Sequence, residues 1–158
     1  MNTYNNFLDK QTFENIKTHL MSDHMPWYFN EGVSTTEDGF FQFTFVFLDE
    51  QGINCERKMM NLIEPVLSNL KYSQLRAVKA NLLTKTNEII EQGFHTDQPE
   101  GITSILYINN CNGYTKFKNG EKITSEENKL IKFNSQLEHT GTSCTDENRR
   151  VVINFNYQ

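Results

Sequence analysis

His95-Thr96-Asp97, a distant His139, and the pair Arg149-Arg150 at the head of an apolar terminal run are the residues of this chain best suited to chemistry. Read as a strand, His95 and Asp97 project to one face and can reach one metal together, with His139 arriving from elsewhere. Two neutral imidazoles and one carboxylate suit Fe(II), and three protein ligands leave positions open for a co-substrate and oxygen. A closed structural zinc site would take four ligands and often thiolates, whereas Cys55, Cys111 and Cys144 are distant in sequence from His95 and Asp97.

Arg150 opens the run Val151-Val152-Ile153-Asn154-Phe155-Asn156-Tyr157, so its guanidinium shares a face with Val152 and Asn154. A fixed fork of donors there can clamp a carboxylate in bidentate fashion. Strand parity sends only one of Arg149 and Arg150 inward, and Arg150 is preferred because it directly precedes the apolar run. Tyr107, in Ile105-Leu106-Tyr107-Ile108-Asn109, offers a hydroxyl donor to the same carboxylate.

These residues need elements to hold them. Leu8, Phe13, Ile16 and Leu20 recur at helical spacing within Leu8 to Met21, with Asp9 as N-cap, and such an amphipathic helix should pack on a sheet. Phe41, Phe43, Phe45 and Phe47 alternate with Gln42, Thr44 and Val46 as in a strand, and the phenylalanines read as core. A second helix spans Arg57 to Leu70, with a kink or break expected at Pro65. From Ala77 onward short apolar segments alternate with turn clusters, which reads as an all-β unit: the first half supplies helices and the second half the sheet. The expected strands are Val78 to Leu83, Gly93 to Thr96, Thr103 to Ile108, Tyr114 to Phe117, Lys129 to Phe133 and Arg150 to Tyr157, with turns at residues 109–113 and 118–121. No internal repeat or linker asks for a second domain, so residues 1–158 are expected to form one.

Composition narrows the setting. The 158 residues can bury a core without disulfides, and three cysteines with no CxxC spacing indicate reduced thiols. A net charge of -5 disfavours a nucleic-acid partner held by a basic surface. No segment is long and apolar enough for a bilayer, and the start lacks the blocks of a signal peptide, so a cytoplasmic protein is expected. Abundant Asn and Lys fit AT-rich coding DNA, such as a phage carries into a bacterial host. His19 and His24 read as surface residues, and Glu126-Glu127 and Asp146-Glu147 as solvated loop carboxylates. Trp27 reads either as a border of the active-site mouth or as a packing anchor.

The succession Gly93-Phe94-His95-Thr96-Asp97, Ile105-Leu106-Tyr107-Ile108-Asn109, Gly113-Tyr114-Thr115-Lys116-Phe117, Asn128 to Phe133, His139-Thr140-Gly141 and Arg150-Val151-Val152-Ile153-Asn154 resembles the 2-oxoglutarate/Fe(II)-dependent oxygenases, on the side of the prolyl 4-hydroxylase-like members. The resemblance covers about the last half of the chain. It implies a mainly β (α+β) fold: a double-stranded β-helix, or jelly roll, with N-terminal helices packed on one sheet. It implies that His95, Asp97 and His139 hold the iron, that Arg150 pairs with the distal carboxylate of 2-oxoglutarate, and that Tyr107 joins it there. Where several members carry a tyrosine on the strand before the HxD segment, this chain has Asn81, Leu82 and Leu83.

The chemistry implied is hydroxylation: 2-oxoglutarate and O2 are consumed, succinate and CO2 leave, and ascorbate is a candidate reductant. Asp97 points the same way, because halogenating relatives have a small residue in its place. Peptidyl proline or another protein side chain is the favoured substrate, with a small molecule close behind. Two other readings share the fold: a cupin-like metalloenzyme independent of 2-oxoglutarate, and a non-catalytic jelly-roll binding module.

Overall fold

Alternating residue chemistry along two long strands organises the molecule. The computed structural model describes residues 1–33 and 39–158. In chain order the elements are β1 (Asn2–Tyr4), α1 (Lys10–Leu20), β2 (Tyr28–Glu31), β3 (Phe41–Asp49), β4 (Gly52–Ile53), α2 (Arg57–Asn69), β5 (Leu75–Thr84), β6 (Ile102–Tyr107), β7 (Tyr114–Phe117), β8 (Lys122–Thr124), β9 (Leu130–Asn134), β10 (His139–Gly141) and β11 (Arg149–Tyr157). Among the described residues the strands form an eight-stranded sheet ordered β1-β9-β6-β11-β5-β3-β2, with β4 on β3, and a three-stranded sheet ordered β10-β7-β8. All the pairings are antiparallel, and the two sheets make a double-stranded β-helix.

One face of the large sheet is apolar and takes both helices. Phe45 and Phe47 of β3, Val78, Ala80 and Leu82 of β5, and Val151, Ile153 and Phe155 of β11 bury against Phe13, Ile16 and Leu20 of α1 and Met59, Ile63, Val66 and Leu67 of α2. The helix start is the expected one, for the Asp9 side chain accepts from the Thr12 N–H at 3.0 Å. Trp27 is an anchor against this core and does not line the cavity described below. A second, smaller cluster lies between the sheets: Ile105, Tyr107, Phe117, Ile131, Phe133 and Val152.

Four expectations need correction. Helix α2 runs through Pro65 without a break. The carbonyl that proline deprives of its partner belongs to Asn61, which is exposed, so water can take the lost bond. Residues of the first half do not supply helices alone: β1, β2, β3 and β4 all join the large sheet. Gly93 to Thr96 is not a ladder strand but an extended segment joined to β10 by the single bridge His95↔His139. Of the Phe41 to Phe47 stripe, Phe45 and Phe47 are core, whereas Phe41 is exposed and stacks on Phe29. The three cysteines are free thiols, and no helix among the described residues is long and apolar enough to cross a membrane.

Candidate active site

The other face of the same strands lines a cavity of about 400 Å³ between the sheets. Its walls include Lys79, Asn81 and Leu83 of β5, Arg150, Val152, Asn154 and Asn156 of β11, and Gln42 and Val46 of β3. His95, Asp97 and His139 stand along it, so the structure brings together the three residues selected from sequence.

Their assembly follows from backbone pairing. His95 N–H donates to the His139 carbonyl and His139 N–H to the His95 carbonyl, both at 3.0 Å, which holds the two imidazoles side by side with ring centroids 4.8 Å apart. The Asp97 N–H then donates to the Ser135 carbonyl at 3.2 Å. Each ring is oriented by its own chain: Nδ1 of His95 lies 3.1 Å from the Gly93 carbonyl, and Nδ1 of His139 lies 2.9 Å from the Leu137 carbonyl. A carbonyl can only accept, so each Nδ1 carries the proton and each Nε2 presents a lone pair. Those lone pairs face Asp97, with Nε2 of His95 3.9 Å from Oδ1 and Nε2 of His139 3.6 Å from Oδ2. The three ligand atoms all lie within 4.8 Å of one another. Burial lowers the pKa of His139, and Asp97 opposes the shift. A neutral imidazole is the form that binds a metal.

Thr103 of β6 adds what sequence reasoning missed. Its hydroxyl donates to Asp97 Oδ2 at 2.6 Å and lies 3.2 Å from Asn156 Oδ1, so it fixes the rotamer of the carboxylate. Its place two positions before Ile105 on the inward face of a strand was the available signal.

At the closed end lies Arg150, 2% exposed. Its Nε donates to Ser125 Oγ at 3.2 Å, its Nη2 to Thr115 Oγ1 at 3.2 Å, and its Nη1 to the Thr142 carbonyl at 3.5 Å. No carboxylate among the described residues pairs with it. Burial pushes the guanidinium below its ordinary pKa, yet arginine keeps its proton in proteins. Gly113 makes the room: a Cβ there would come within 2.6 Å of Arg150 Cδ and 2.7 Å of the Ser143 carbonyl. Arg149 points elsewhere, its guanidinium donating to the Met21 carbonyl.

Tyr107 is fully buried, its ring 5.6 Å from the guanidinium carbon of Arg150. Its hydroxyl donates to Thr115 Oγ1 at 2.8 Å, so it reaches the Arg150 end through a threonine and does not line the cavity itself. Burial pushes its pKa up to about 12, which keeps it a donor.

No protein-family model matches the chain, and no curated protein does. Solved structures do match it in shape. An oxidoreductase of the 2OG-Fe(II) oxygenase family from Burkholderia pseudomallei superposes with a TM-score of 0.72 at 13% identity, over 98% of this chain and 82% of that one. A Trichoplax adhaerens prolyl hydroxylase, solved in complex with a hypoxia inducible factor oxygen degradation domain peptide fragment, gives 0.65 at 14% identity, over 99% and 82%. A Pseudomonas putida prolyl-4-hydroxylase gives 0.59 at 12% identity, over 99% and 92%. At such identities the likeness is one of fold, and nearly the whole chain shares the double-stranded β-helix of these oxygenase and prolyl hydroxylase structures.

Proposed function

We propose that residues 1–158 act as one domain, a 2-oxoglutarate- and O2-dependent Fe(II) oxygenase that hydroxylates its substrate and releases succinate and CO2. One observation carries the reading: a buried guanidinium without an acid partner ends a cavity whose wall carries two oriented imidazoles and a carboxylate. A buried unpaired cation is costly, and a dicarboxylate removes that cost by bringing the missing charge.

The donor set fits Fe(II), with His95 and His139 offering Nε2 and Asp97 one oxygen. Bound there, Fe(II) supplies the redox chemistry that couples decarboxylation of 2-oxoglutarate to oxidation of a C–H bond. The remaining work belongs to the chain. Arg150 takes the distal carboxylate, and Thr115 and Ser125 hold its fork in place. Tyr107 fixes Thr115 and covers the guanidinium with its ring. Ile105 and Val152 give the methylenes of the co-substrate an apolar wall that excludes water. Thr103 keeps Asp97 turned toward the imidazoles.

For the substrate, a protein side chain such as peptidyl proline is the first choice; the peptide bound to the Trichoplax relative supports it. The first test is succinate release from 2-oxoglutarate by protein loaded anaerobically with Fe(II) and then given air, with and without ascorbate. Release that disappears in His95→Ala and falls in Arg150→Ala is expected. No release, together with no metal-to-ligand colour for Fe(II) and 2-oxoglutarate under nitrogen, would overturn the reading in favour of a non-catalytic module.

A further inference from the structure

The cavity holds a second cation that this reading leaves without a task. Lys79 of β5 faces Asn154 of β11 in register, with Val46 of β3 on its other side, so its side chain stands on the cavity wall. Among the described residues its ammonium makes no hydrogen bond and no ion pair. Burial lowers its pKa, and the field of Asp97 opposes the shift. Two amide oxygens beside it are equally unused: Asn81 Oδ1 and Asn154 Oδ1 are buried without a donor. Asn81 is the next residue on the same face of β5.

A cation next to two acceptors is a particular recognition pattern. A ligand made only of acceptors, as 2-oxoglutarate is, can satisfy the ammonium but not the amide oxygens. A ligand carrying a carboxylate and an N–H donor close together satisfies both. Buried polar groups of this kind are seldom left unpaired, and residues of β3, Gln42 and Val46, line the same cavity.

We propose that Lys79, Asn81 and Asn154 form a second polar subsite, separate from Arg150, that binds a carboxylate with an adjacent N–H donor on the hydroxylated substrate, as found in an amino acid or an acidic residue of a peptide. The inference rests on the oxygenase reading for the word substrate, and the subsite itself does not. Lys79 takes the carboxylate, and the two asparagine oxygens accept from the N–H groups.

The test is equilibrium binding to protein loaded with Zn(II) in place of iron and with 2-oxoglutarate. The probes are the free amino acids, their carboxamides, and aspartate and glutamate capped at both ends. Saturation-transfer NMR finds the binders and calorimetry measures them. At least one carboxylate probe should bind, with its amide at least about tenfold weaker, the scale of one charge-assisted hydrogen bond. Lys79→Met, which keeps the apolar stem, should bring the acid down to the level of the amide, and Asn81→Leu should weaken the acid and its amide alike. The melting temperature of each variant checks that it is folded. The subsite is refuted if no carboxylate probe separates wild type from Lys79→Met. A tenfold loss of affinity for 2-oxoglutarate itself in Lys79→Met would give the ammonium to the co-substrate and end the substrate claim. Succinate release measured in parallel keeps the two readings apart, because Lys79-dependent probe binding without any release would sink the oxygenase reading and spare the subsite.

Discussion

Strands β5 and β11 present two faces with opposite duties. Toward the helices stand Val78, Ala80, Leu82, Val151, Ile153 and Phe155, all buried in one apolar cluster. Toward the cavity stand Lys79, Asn81, Arg150, Asn154 and Asn156, several with polar atoms that no neighbour satisfies. The side-chain period of two lets adjacent residues on one strand serve stability and chemistry independently. The difference in saturation between the faces is informative: the apolar face is complete, and the polar face lacks what a ligand would bring.

One substitution on each face separates their duties. His139→Ala on the cavity side should lower turnover by at least about a hundredfold, and should also lower the melting temperature modestly, because the buried ring packs on Phe117 and Phe133. Activity retained within tenfold would remove His139 from the ligand set. Ile153→Ala, fully buried on the helix face, should cost about 2–5 kcal/mol and lower the melting temperature by about 4–20 °C, while the affinity for 2-oxoglutarate of the folded protein stays close to that of the wild type. A loss of that affinity by about tenfold or more would show that the faces are coupled.

Arg150→Met sits between these extremes. Removing one charge-assisted anchor should weaken 2-oxoglutarate by roughly ten- to a hundredfold, seen by calorimetry. Without the ligand, Arg150→Met should be as stable as the wild type or more so, since a buried unpaired cation is replaced by an apolar chain of similar volume. A large destabilisation would mean that the bonds to Thr115 and Ser125, not ligand binding, are why the arginine is there. Thr103→Val removes the hydroxyl from Asp97 and should weaken Fe(II) by about tenfold or slightly more, with stability close to unchanged.

The same two faces explain what could be read in the chain. The run Arg149 to Tyr157 alternates visibly, and Arg150 precedes apolar residues, so its inward direction was favoured in sequence, while Arg149 stayed an alternative until its bond to the Met21 carbonyl was seen. Asp9 with the spacing of Phe13, Ile16 and Leu20 marked α1 for the same local reasons. The short strands β1, β2, β8 and β10 were not legible, because three or four residues carry little pattern and their pairing is decided by the partner strand. The His95 segment was legible as chemistry but not as structure, since a single bridge to His139 fixes it. Thr115 and Ser125 belong to residue types too common to single out, and Thr103 had only its strand parity to mark it. Lys79 looks in sequence like the solvent half of an alternating strand, and only the opposing sheet turns that position into a cavity wall.

The smallest effect tests whether support outside the cavity matters. Glu91, four residues before His95, accepts from Lys116 Nζ at 2.6 Å and from Tyr114 Oη at 2.7 Å, and bridges to Thr142, whose carbonyl takes an Arg150 N–H. The bond from Lys116 is the main cause, and that from Tyr114 the next, of a pKa held down at about 2 against an ordinary 4.5. A carboxylate whose folded pKa is depressed adds stability that is fully present above pH 4.5 and is lost as the pH falls toward 2. About a third of the side chain is exposed, so solvent screens the pair, and Glu91→Gln should cost only about 0.5 kcal/mol at pH 7. Chemical unfolding of wild type and variant at pH 7 and again near pH 2.5 should show that gap closing. A gap of equal size at both values would mean that packing, not charge, ties the His95 segment to β7. Glu91 would then belong with the apolar face, as a structural residue that happens to carry a carboxylate.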